Sequence, residues 1–256
     1  MRILLAACVA MSALAADNQL SSEERIGGWR LLFDGKSFFH WKPVSSYTID
    51  GNCLKAVKHP PFREDLFSED SYGDFELMFD WKISPAGNSG VKYRIQDHAF
   101  VDEKPGEKFE DEVRAAFLNR PGERPAHGQD YVVGFEYQIT DNQTNGDAVH
   151  NGPRYQSAAL YGVFAPSRDV TKPVGEFNRS RLVVRGNHIE HWLNGVKVVD
   201  ANLDAPEVAA AMAKRWGEDS PVYKLLVTNP RKRGPISLQN HGDECWFKNI
   251  KIHLLE

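Results

Sequence analysis

The chain has 256 residues, 41% of them hydrophobic and 26% charged, which is the composition of a globular protein able to bury a core. Its 31 Lys and Arg residues against 35 Asp and Glu residues give a formal net charge of -4. This weakly acidic balance argues against nucleic acid as a partner, because neutralising phosphates requires a basic patch. Beyond the N-terminus no stretch approaches the roughly 20 apolar residues of a membrane span, so the sequence predicts no membrane span.

The first residues have the pattern of an export signal. Arg2 provides a positive start, a short apolar run follows, and Ala13 and Ala15 are the small residues that a signal peptidase requires. The sequence therefore predicts a signal peptide over residues 1–15, cleavage near Ala15, and a periplasmic or extracellular location. Residues 16–256 are expected to form a single domain.

Strand patterns dominate the rest of the chain. From residue 75 to residue 83 apolar side chains alternate with polar ones, which predicts an amphipathic strand. A turn-rich loop is predicted over residues 84–90, and a long polar loop or insertion over residues 97–130. Residues 181–199 have the pattern of three short strands, with Asn194-Gly195 as a favoured hairpin turn.

Three later strands have polar rows that suggest a functional surface. Side chains of a strand point to opposite faces at period two, so each strand offers one apolar row to a core and one polar row to a ligand. If the three strands are neighbours, their polar rows share one concave face. These rows are Lys92, Arg94 and Gln96 in the first strand, Glu136 and Gln138 in the second, and Gln239 and His241 in the third.

The element pattern predicts an all-β fold. Many strands with a single clear helix at residues 205–216 favour a jelly-roll β-sandwich of two antiparallel sheets with one short inserted helix. The apolar rows would fill the space between the sheets. Cys53 and Cys245 could pair in an oxidising compartment or remain two buried thiols.

A series of short motifs runs in order through almost the whole of residues 16–256. They include Gly28-Trp29, Leu32-Phe33-Asp34-Gly35-Lys36, Trp81-Lys82-Ile83-Ser84-Pro85, Gly87-Asn88-Ser89-Gly90-Val91, Gly134-Phe135-Glu136-Tyr137-Gln138-Ile139, His191-Trp192-Leu193-Asn194-Gly195 and Gln239-Asn240-His241-Gly242-Asp243. This series resembles the 3-keto-disaccharide hydrolase family, formerly a domain of unknown function. The resemblance implies a concanavalin A-like jelly roll, usually exported, that acts on glycosides whose sugar is oxidised at C3. Residues 97–130 and 201–233 are longer than in a minimal family member.

Cleavage of such a glycoside requires a base, a stabiliser for an enolate and help for the leaving group. A ketone at C3 acidifies the hydrogen at C2, and its removal lets the C1 substituent leave by β-elimination; water then completes a net hydrolysis. Glu136 is the candidate base, because a carboxylate in mid-strand beside aromatic residues can have a raised pKa. Lys92 or Arg94 would hold the enolate, and His241, which titrates near neutral pH, would protonate the departing oxygen.

The candidate sugar ligands are polar side chains close to these groups. Amides and carboxylates offer the donors and acceptors that a diol requires, and the residues of this kind are Asn88, Gln138, Gln239 and Asp243.

No ligand motif indicates a divalent metal, and the sequence leaves the need for one open. His188 and Glu190 would share a strand face while His191 points away, which is a weak ligand pattern. Asp147 with His150, in a predicted loop, is an equally weak metal or substrate pair.

Three other interpretations stay open at this point. Glu136 could form only a cross-strand ion pair with Lys92 or Arg94, a contact that contributes about 0.2 to 1 kcal/mol. The same concave face could belong to a lectin-like module that binds glycans without cleaving them. An ordinary retaining glycosidase would need a second carboxylate roughly 5 to 5.5 Å from Glu136, and Asp80 is the strand residue that could supply it.

Overall fold

A computed structural model describes residues 16–120 and 122–255. The predicted signal peptide, residues 1–15, lies outside the described residues. The strands are β1 (Arg30–Leu31), β2 (Trp41–Lys42), β3 (Tyr47–Asp50), β4 (Cys53–Ala56), β5 (Phe62–Arg63), β6 (Leu66–Ser68), β7 (Phe75–Ile83), β8 (Asn88–Val101), β9 (Gly128–Thr140), β10 (Asn178–Arg185), β11 (His188–Leu193), β12 (Val196–Asn202), β13 (Ser237–Leu238) and β14 (Cys245–Leu254).

The strands form two sheets that pack face to face. One sheet has eight strands in the order β12-β11-β10-β7-β14-β4-β3, with β1 also paired to β14. The other has six strands in the order β2-β6-β13-β8-β9-β5, in which β5 runs parallel to β9 and the remaining pairs are antiparallel. The predicted all-β sandwich of antiparallel sheets is confirmed.

The core lies between the sheets and follows the period-two pattern. On β7 the odd-numbered side chains from Phe75 to Ile83 are buried, as the alternation predicts. A buried polar contact also joins the two sheets, because the Trp81 Nε1–H donates to Ser180 Oγ at 2.8 Å and the Tyr137 hydroxyl is 2.8 Å from the same oxygen. Buried polar groups with partners at this distance avoid the cost of burying them unpaired.

The helices are fewer than the strands, but there are more of them than the sequence pattern predicts. They are α1 (Ser22–Ile26), α2 (Phe109–Asn119), α3 (Gly146–Asn151), α4 (Pro206–Trp216) and α5 (Pro221–Tyr223), with a 3₁₀ turn at Pro153–Tyr155 and a π-helical turn at Lys224–Thr228. The predicted helix at residues 205–216 is confirmed as α4, which has a proline in its first turn.

Of the two alternatives predicted for residues 97–130, an insertion or a long loop, the long loop is wrong. Strand β8 continues to Val101, β9 begins at Gly128, and α2 lies between them. The apolar stripe of α2 is short, since Val113, Ala116 and Phe117 are its buried side chains, and it lies among charged residues. The Arg114 side chain donates to the Trp216 carbonyl at 2.7 Å. The segments at residues 97–130 and 201–233 therefore meet beside the six-stranded sheet.

Two smaller features complete the fold. Cys53 and Cys245 are both buried and both free, so the structure has them as two thiols and not as a disulfide. Within the described ranges, none of the helices combines the length and the apolar character needed to cross a bilayer.

Candidate active site

The six-stranded sheet brings the predicted polar rows together. Glu136 on β9 lies directly opposite Lys92 on β8, and Lys92 in turn lies opposite Ser237 on β13. One step along the strands, Gly90 pairs with Gln138, and the Gln239 N–H donates to the Gly90 carbonyl at 2.8 Å. The predicted adjacency of these three strands is confirmed, and paired residues on neighbouring strands present their side chains to the same face.

A glycine makes room for the Glu136 carboxylate. A Cβ atom at Gly90 would lie 2.3 Å from Glu136 Oε1 and 2.8 Å from its Cδ. With its amide turned so that Nε2 faces Glu136, Gln138 donates from Nε2 to Glu136 Oε1 at 2.9 Å and to the Ser89 carbonyl at 3.0 Å. The carboxylate is therefore positioned by Gly90 on one side and Gln138 on the other.

The surroundings of Glu136 favour its neutral form. Burial raises the pKa of Glu136 to about 7, opposed by the positive charge of Lys92 and reinforced by the negative charge of Asp65. The residue is half-buried, so its carboxylate still reaches the adjacent cavity. A carboxyl group with this pKa can both accept and release a proton near neutral pH.

Lys92 is held by a buried carboxylate. Its Nζ is 3.1 Å from Asp65 Oδ2, and the Ser237 hydroxyl donates to the same oxygen at 2.9 Å. Burial opposes the charge of Lys92, but Asp65 and Glu136 outweigh it and raise the pKa of the ammonium. Burial raises the pKa of Asp65, and Lys92 opposes this shift. Lys92 is thus a fixed cation beside Glu136.

Arg94, the other predicted enolate partner, is not brought to this cavity. The β8–β9 register shifts between Tyr93 and Asp97, and Arg94 itself has a left-handed φ of 52°. This bulge turns the guanidinium away, and it bonds to Asp74 Oδ1 at 3.2 Å and to the Gly186 carbonyl at 2.6 Å. The alternation that placed Lys92 correctly therefore fails two residues later.

His241 lies at the mouth of the cavity. Its side chain is exposed there, while the protein around the ring and the Arg63 cation lower its pKa. The imidazole is therefore neutral near neutral pH, where one nitrogen donates and the other accepts. A neutral ring can give its one proton to a departing oxygen only if its other nitrogen takes up a proton, which adds a condition to the role that the sequence suggested.

The predicted sugar ligands take different positions. Asn88 and Gln239 line the cavity with Glu136, and Gln239 Oε1 is buried with no hydrogen-bond partner among the described residues. Gln138 reaches the site through its bond to Glu136. Asp243 accepts from the Asn88 N–H at 3.0 Å and so fixes the start of β8, which the sequence had placed in a loop.

The cavity has a volume of about 100 Å³, enough for several water molecules. Its far wall comes from the two helical insertions and from the loop after α3. The wall residues that sequence analysis missed are Phe109, Tyr131, Tyr161, Met212, Arg215 and Trp216. Burial raises the pKa of both Tyr131 and Tyr161, so both phenols stay protonated near neutral pH.

Asp147 and His150 do not act as a pair. Asp147 lies near the cavity, where its Oδ2 accepts from the Tyr161 hydroxyl at 2.8 Å and its charge reinforces the raised pKa of Glu136. The His150 ring is exposed and bonds to the carbonyl of Gly146 in its own helix.

Asp80 cannot serve as the second carboxylate of a retaining glycosidase. It lies on β7 of the eight-stranded sheet, where it is bonded to Arg179 at 3.1 Å and to Asn249 at 2.7 Å. The two carboxylates thus belong to different sheets.

One group of side chains in the described ranges could share a metal ion: His188, Glu190 and Asp200 on β11 and β12. His188 and Glu190 share a face, whereas His191 is buried and bonds to the Ala158 carbonyl at 2.9 Å, as the strand period predicts. Lys197 already pairs with both carboxylates of the group, with its Nζ 3.1 Å from Glu190 Oε1 and also beside Asp200. The group lies on the sheet opposite the Glu136 cavity.

Comparison with known proteins assigns the family. The profile of the 3-keto-alpha-glucoside-1,2-lyase-like domain matches residues 28–253. The chain belongs to this family. The 3-keto-alpha-glucoside-1,2-lyase-like domain therefore covers both sheets, the two helical insertions and the Glu136 cavity.

Relatives of this 3-keto-alpha-glucoside-1,2-lyase-like chain are found among curated proteins and solved structures. A 3-keto-disaccharide hydrolase of Bacteroides thetaiotaomicron is 28% identical over 247 residues, which cover 90% of this chain and 79% of that protein. A crystal structure from Parabacteroides distasonis, provisionally named a glycosyl hydrolase, has a TM-score of 0.69 at 26% identity and covers 94% of this chain and 100% of its own. A second structure of that organism, named in the same way, has a TM-score of 0.60 at 24% identity, with coverage of 89% and 99%.

Proposed function

We propose that this chain is a glycoside-cleaving enzyme that acts on 3-keto-glycosides, and that Glu136 starts the reaction by removing the C2 proton. The observation that carries this proposal is a carboxyl group with a pKa of about 7 beside the Lys92 cation, in a cavity that Asn88 and Gln239 also line. The family and the name of the Bacteroides relative support the substrate class.

The first step moves one proton and one electron pair. Glu136 takes the C2 proton, the C2–H electron pair forms a C2=C3 double bond, and the C3 oxygen receives the negative charge. The Lys92 cation stabilises that charge within a largely desolvated site, where such interactions are stronger than in water.

The second step expels the C1 substituent. As the C3 carbonyl forms again, a C1=C2 double bond replaces the C1–O bond, and the departing oxygen needs a proton. The proton on Glu136 is the one available, because His241 is neutral. We assign to His241 the role of a proton relay: one nitrogen accepts the proton from Glu136, and the other nitrogen donates its own proton to the departing oxygen. Water then adds at C1, and the net reaction is hydrolysis.

Sugar hydroxyls would be bound by the amides of the site. The unpartnered Gln239 Oε1 is an acceptor that a hydroxyl donor can satisfy, and Asn88 lines the same cavity. A buried acceptor without a donor costs about 1 to 3 kcal/mol, so a ligand hydroxyl there is favoured. We also propose that the enzyme is exported, on the pattern of residues 1–15.

Ketone dependence tests this function. The purified protein is incubated with a 3-keto-glucoside and with its unoxidised parent, each with and without EDTA, and release of the aglycone is followed. We expect release from the keto form alone, and sensitivity to EDTA would add a metal to the reaction. Binding of both sugars with release from neither would indicate a lectin-like module instead.

The pH profile should follow the ionisation of Glu136. Only the carboxylate accepts the C2 proton, and the pKa of Glu136 is about 7. We therefore expect kcat/KM to rise about tenfold per pH unit below pH 7 and to level off above it. The measurement is kcat/KM on one 3-keto-glycoside between pH 5 and pH 9. A rate that instead falls as the pH rises through 7 would show that the protonated acid is the active form.

Removing the Lys92 charge should slow the reaction in a protein that still folds. Lys92→Met alone breaks a buried ion pair, which costs about 3 to 5 kcal/mol, so the variant to measure also carries Asp65→Asn. Losing one enolate-stabilising group should reduce kcat by about 10²-fold or more. Lys82→Met, on β7 of the other sheet, is the control. A folded double variant with wild-type kcat would remove Lys92 from the mechanism.

A further inference from the structure

Arg215 enters the Glu136 cavity from α4, within one of the two inserted segments. Its guanidinium carbon lies 5.4 Å from the centre of the Tyr161 ring and 4.8 Å from that of Trp216. The Tyr161 N–H donates to the Glu136 carbonyl at 3.1 Å. Tyr161 therefore links the guanidinium to the backbone of the candidate base.

Among the described residues, the Arg215 guanidinium makes one long ion pair and no side-chain hydrogen bond. A guanidinium has five N–H donors and no acceptor, yet no side-chain hydrogen bond joins Arg215 to another residue in ranges 16–120 and 122–255. Its ion pair, from Nε to Glu110 Oε1, is 3.5 Å long. A half-buried cation in a cavity, held by two aromatic rings and with free donors, has the features of a group that binds a ligand oxygen.

The charge of Arg215 acts on the reaction centre. Burial by itself lowers the pKa of the Arg215 guanidinium. The opposing effect of four neighbours is larger and raises that pKa overall; these are Tyr131, Tyr161, Glu110 and Glu136. The guanidinium therefore stays charged at every working pH. In the opposite direction, Arg215 is one of the groups that lower the pKa of Glu136.

We propose that Arg215 is a catalytic residue that donates hydrogen bonds to the C3 oxygen of the oxidised sugar and stabilises the enolate formed there. The proposal rests on the proposed function. When the C2 proton passes to Glu136, the C2–H electron pair becomes the C2=C3 bond and the carbonyl π pair moves to the C3 oxygen. A group with donors only suits an oxygen that only accepts, and it discriminates against a hydroxyl, which must also donate.

This assignment replaces the role predicted for Arg94, whose guanidinium is bonded to backbone and to Asp74 outside the cavity. It also gives a function to the longer segment at residues 201–233. Lys92 from the sheet and Arg215 from α4 would approach the C3 oxygen from two different walls of the same cavity.

The test separates enolate formation from departure of the leaving group. A 1-deoxy analogue of a 3-keto-glucoside lacks the aglycone oxygen that the second step expels, so exchange of its C2 proton in D₂O, followed by NMR, reports enolate formation without aglycone departure. The variants are Arg215→Gln, Arg215→Lys and, as a matched control on the same helix, the exposed Lys214→Gln. Circular dichroism and thermal unfolding establish that each variant is folded.

We expect Arg215→Gln to slow C2 exchange by about 10²- to 10³-fold, the loss typical of one oxyanion donor. Arg215→Lys should restore part of the rate, Lys214→Gln should equal wild type, and affinity for the unoxidised 1-deoxy sugar should be unchanged in all three. Equal exchange rates in Arg215→Gln and wild type would overturn the role of Arg215 alone. Wild-type protein that exchanges no C2 proton would overturn the proposed function with it.

Discussion

Replacing Glu136 with Gln is expected to reduce turnover of a 3-keto-glycoside by about 10²- to 10⁴-fold, the range that general-base catalysis contributes. Glutamine keeps the shape of the side chain and can still accept the Gln138 hydrogen bond on its remaining oxygen, but it cannot take a proton. The fold should persist, because the change removes a carboxylate whose burial disfavours its charge. Steady-state kinetics with circular dichroism of the folded variant measures both effects.

The control for this variant is Glu218→Gln, which changes an exposed carboxylate just after α4 in the same way. Its rate should equal that of wild type. A folded Glu136→Gln variant that retained the wild-type rate would exclude Glu136 as the base and would move the search to Asp147, another acid near the cavity.

Gly90→Ala is expected to have the next largest effect, because the added methyl group occupies the space of the carboxylate. The new Cβ would stand 2.3 Å from Glu136 Oε1 and 2.9 Å from its Cγ, so the Glu136 side chain must move. Displacement of a catalytic group by about 1 Å can cost 10²-fold in rate. We therefore expect kcat to fall by about this factor. The midpoint of thermal unfolding should change little, because the Glu136 side chain is flexible and can move away from the added methyl group.

The matched control is Gly73→Ala in the bend before β7. There the nearest atom to the added Cβ is the Lys232 carbonyl oxygen, at 3.7 Å, which is an ordinary contact. That variant should have wild-type activity. If Gly90→Ala matched it, the carboxylate position that Gly90 permits would not be the one that catalysis uses.

Period-two patterns predicted much of this site from sequence. Lys92 and Glu136 face the same cavity because β8 and β9 are regular there, and the same rule predicted that His191 points away from His188 and Glu190. The prediction for Arg94 was wrong because a bulge adds residues to β8 between Tyr93 and Asp97. No residue type in that stretch indicates a bulge from sequence. Extension of β8 and β9 into the predicted loop was missed for a related reason, since charged residues mask the apolar alternation near their ends.

Long-range contacts were beyond sequence reasoning. Asp65 meets Lys92, and Arg215 meets Tyr161, only because separate segments fold against each other, and no spacing in the sequence encodes these pairs. Helix α2 did leave a signal. Its acidic first turn, Glu110 to Glu112, precedes apolar side chains at Val113, Ala116 and Phe117, which is an amphipathic pattern with favourable helix-dipole charges.

The most direct test of the account follows a deuterium atom placed at C2 of a 3-keto-glucoside. Removal of this atom by Glu136 predicts slower aglycone release than from the unlabelled substrate and a sugar product that carries solvent hydrogen at C2. A product that keeps its deuterium at C2, released at the unlabelled rate, would contradict the account, because the C1 substituent would then depart without any enolate.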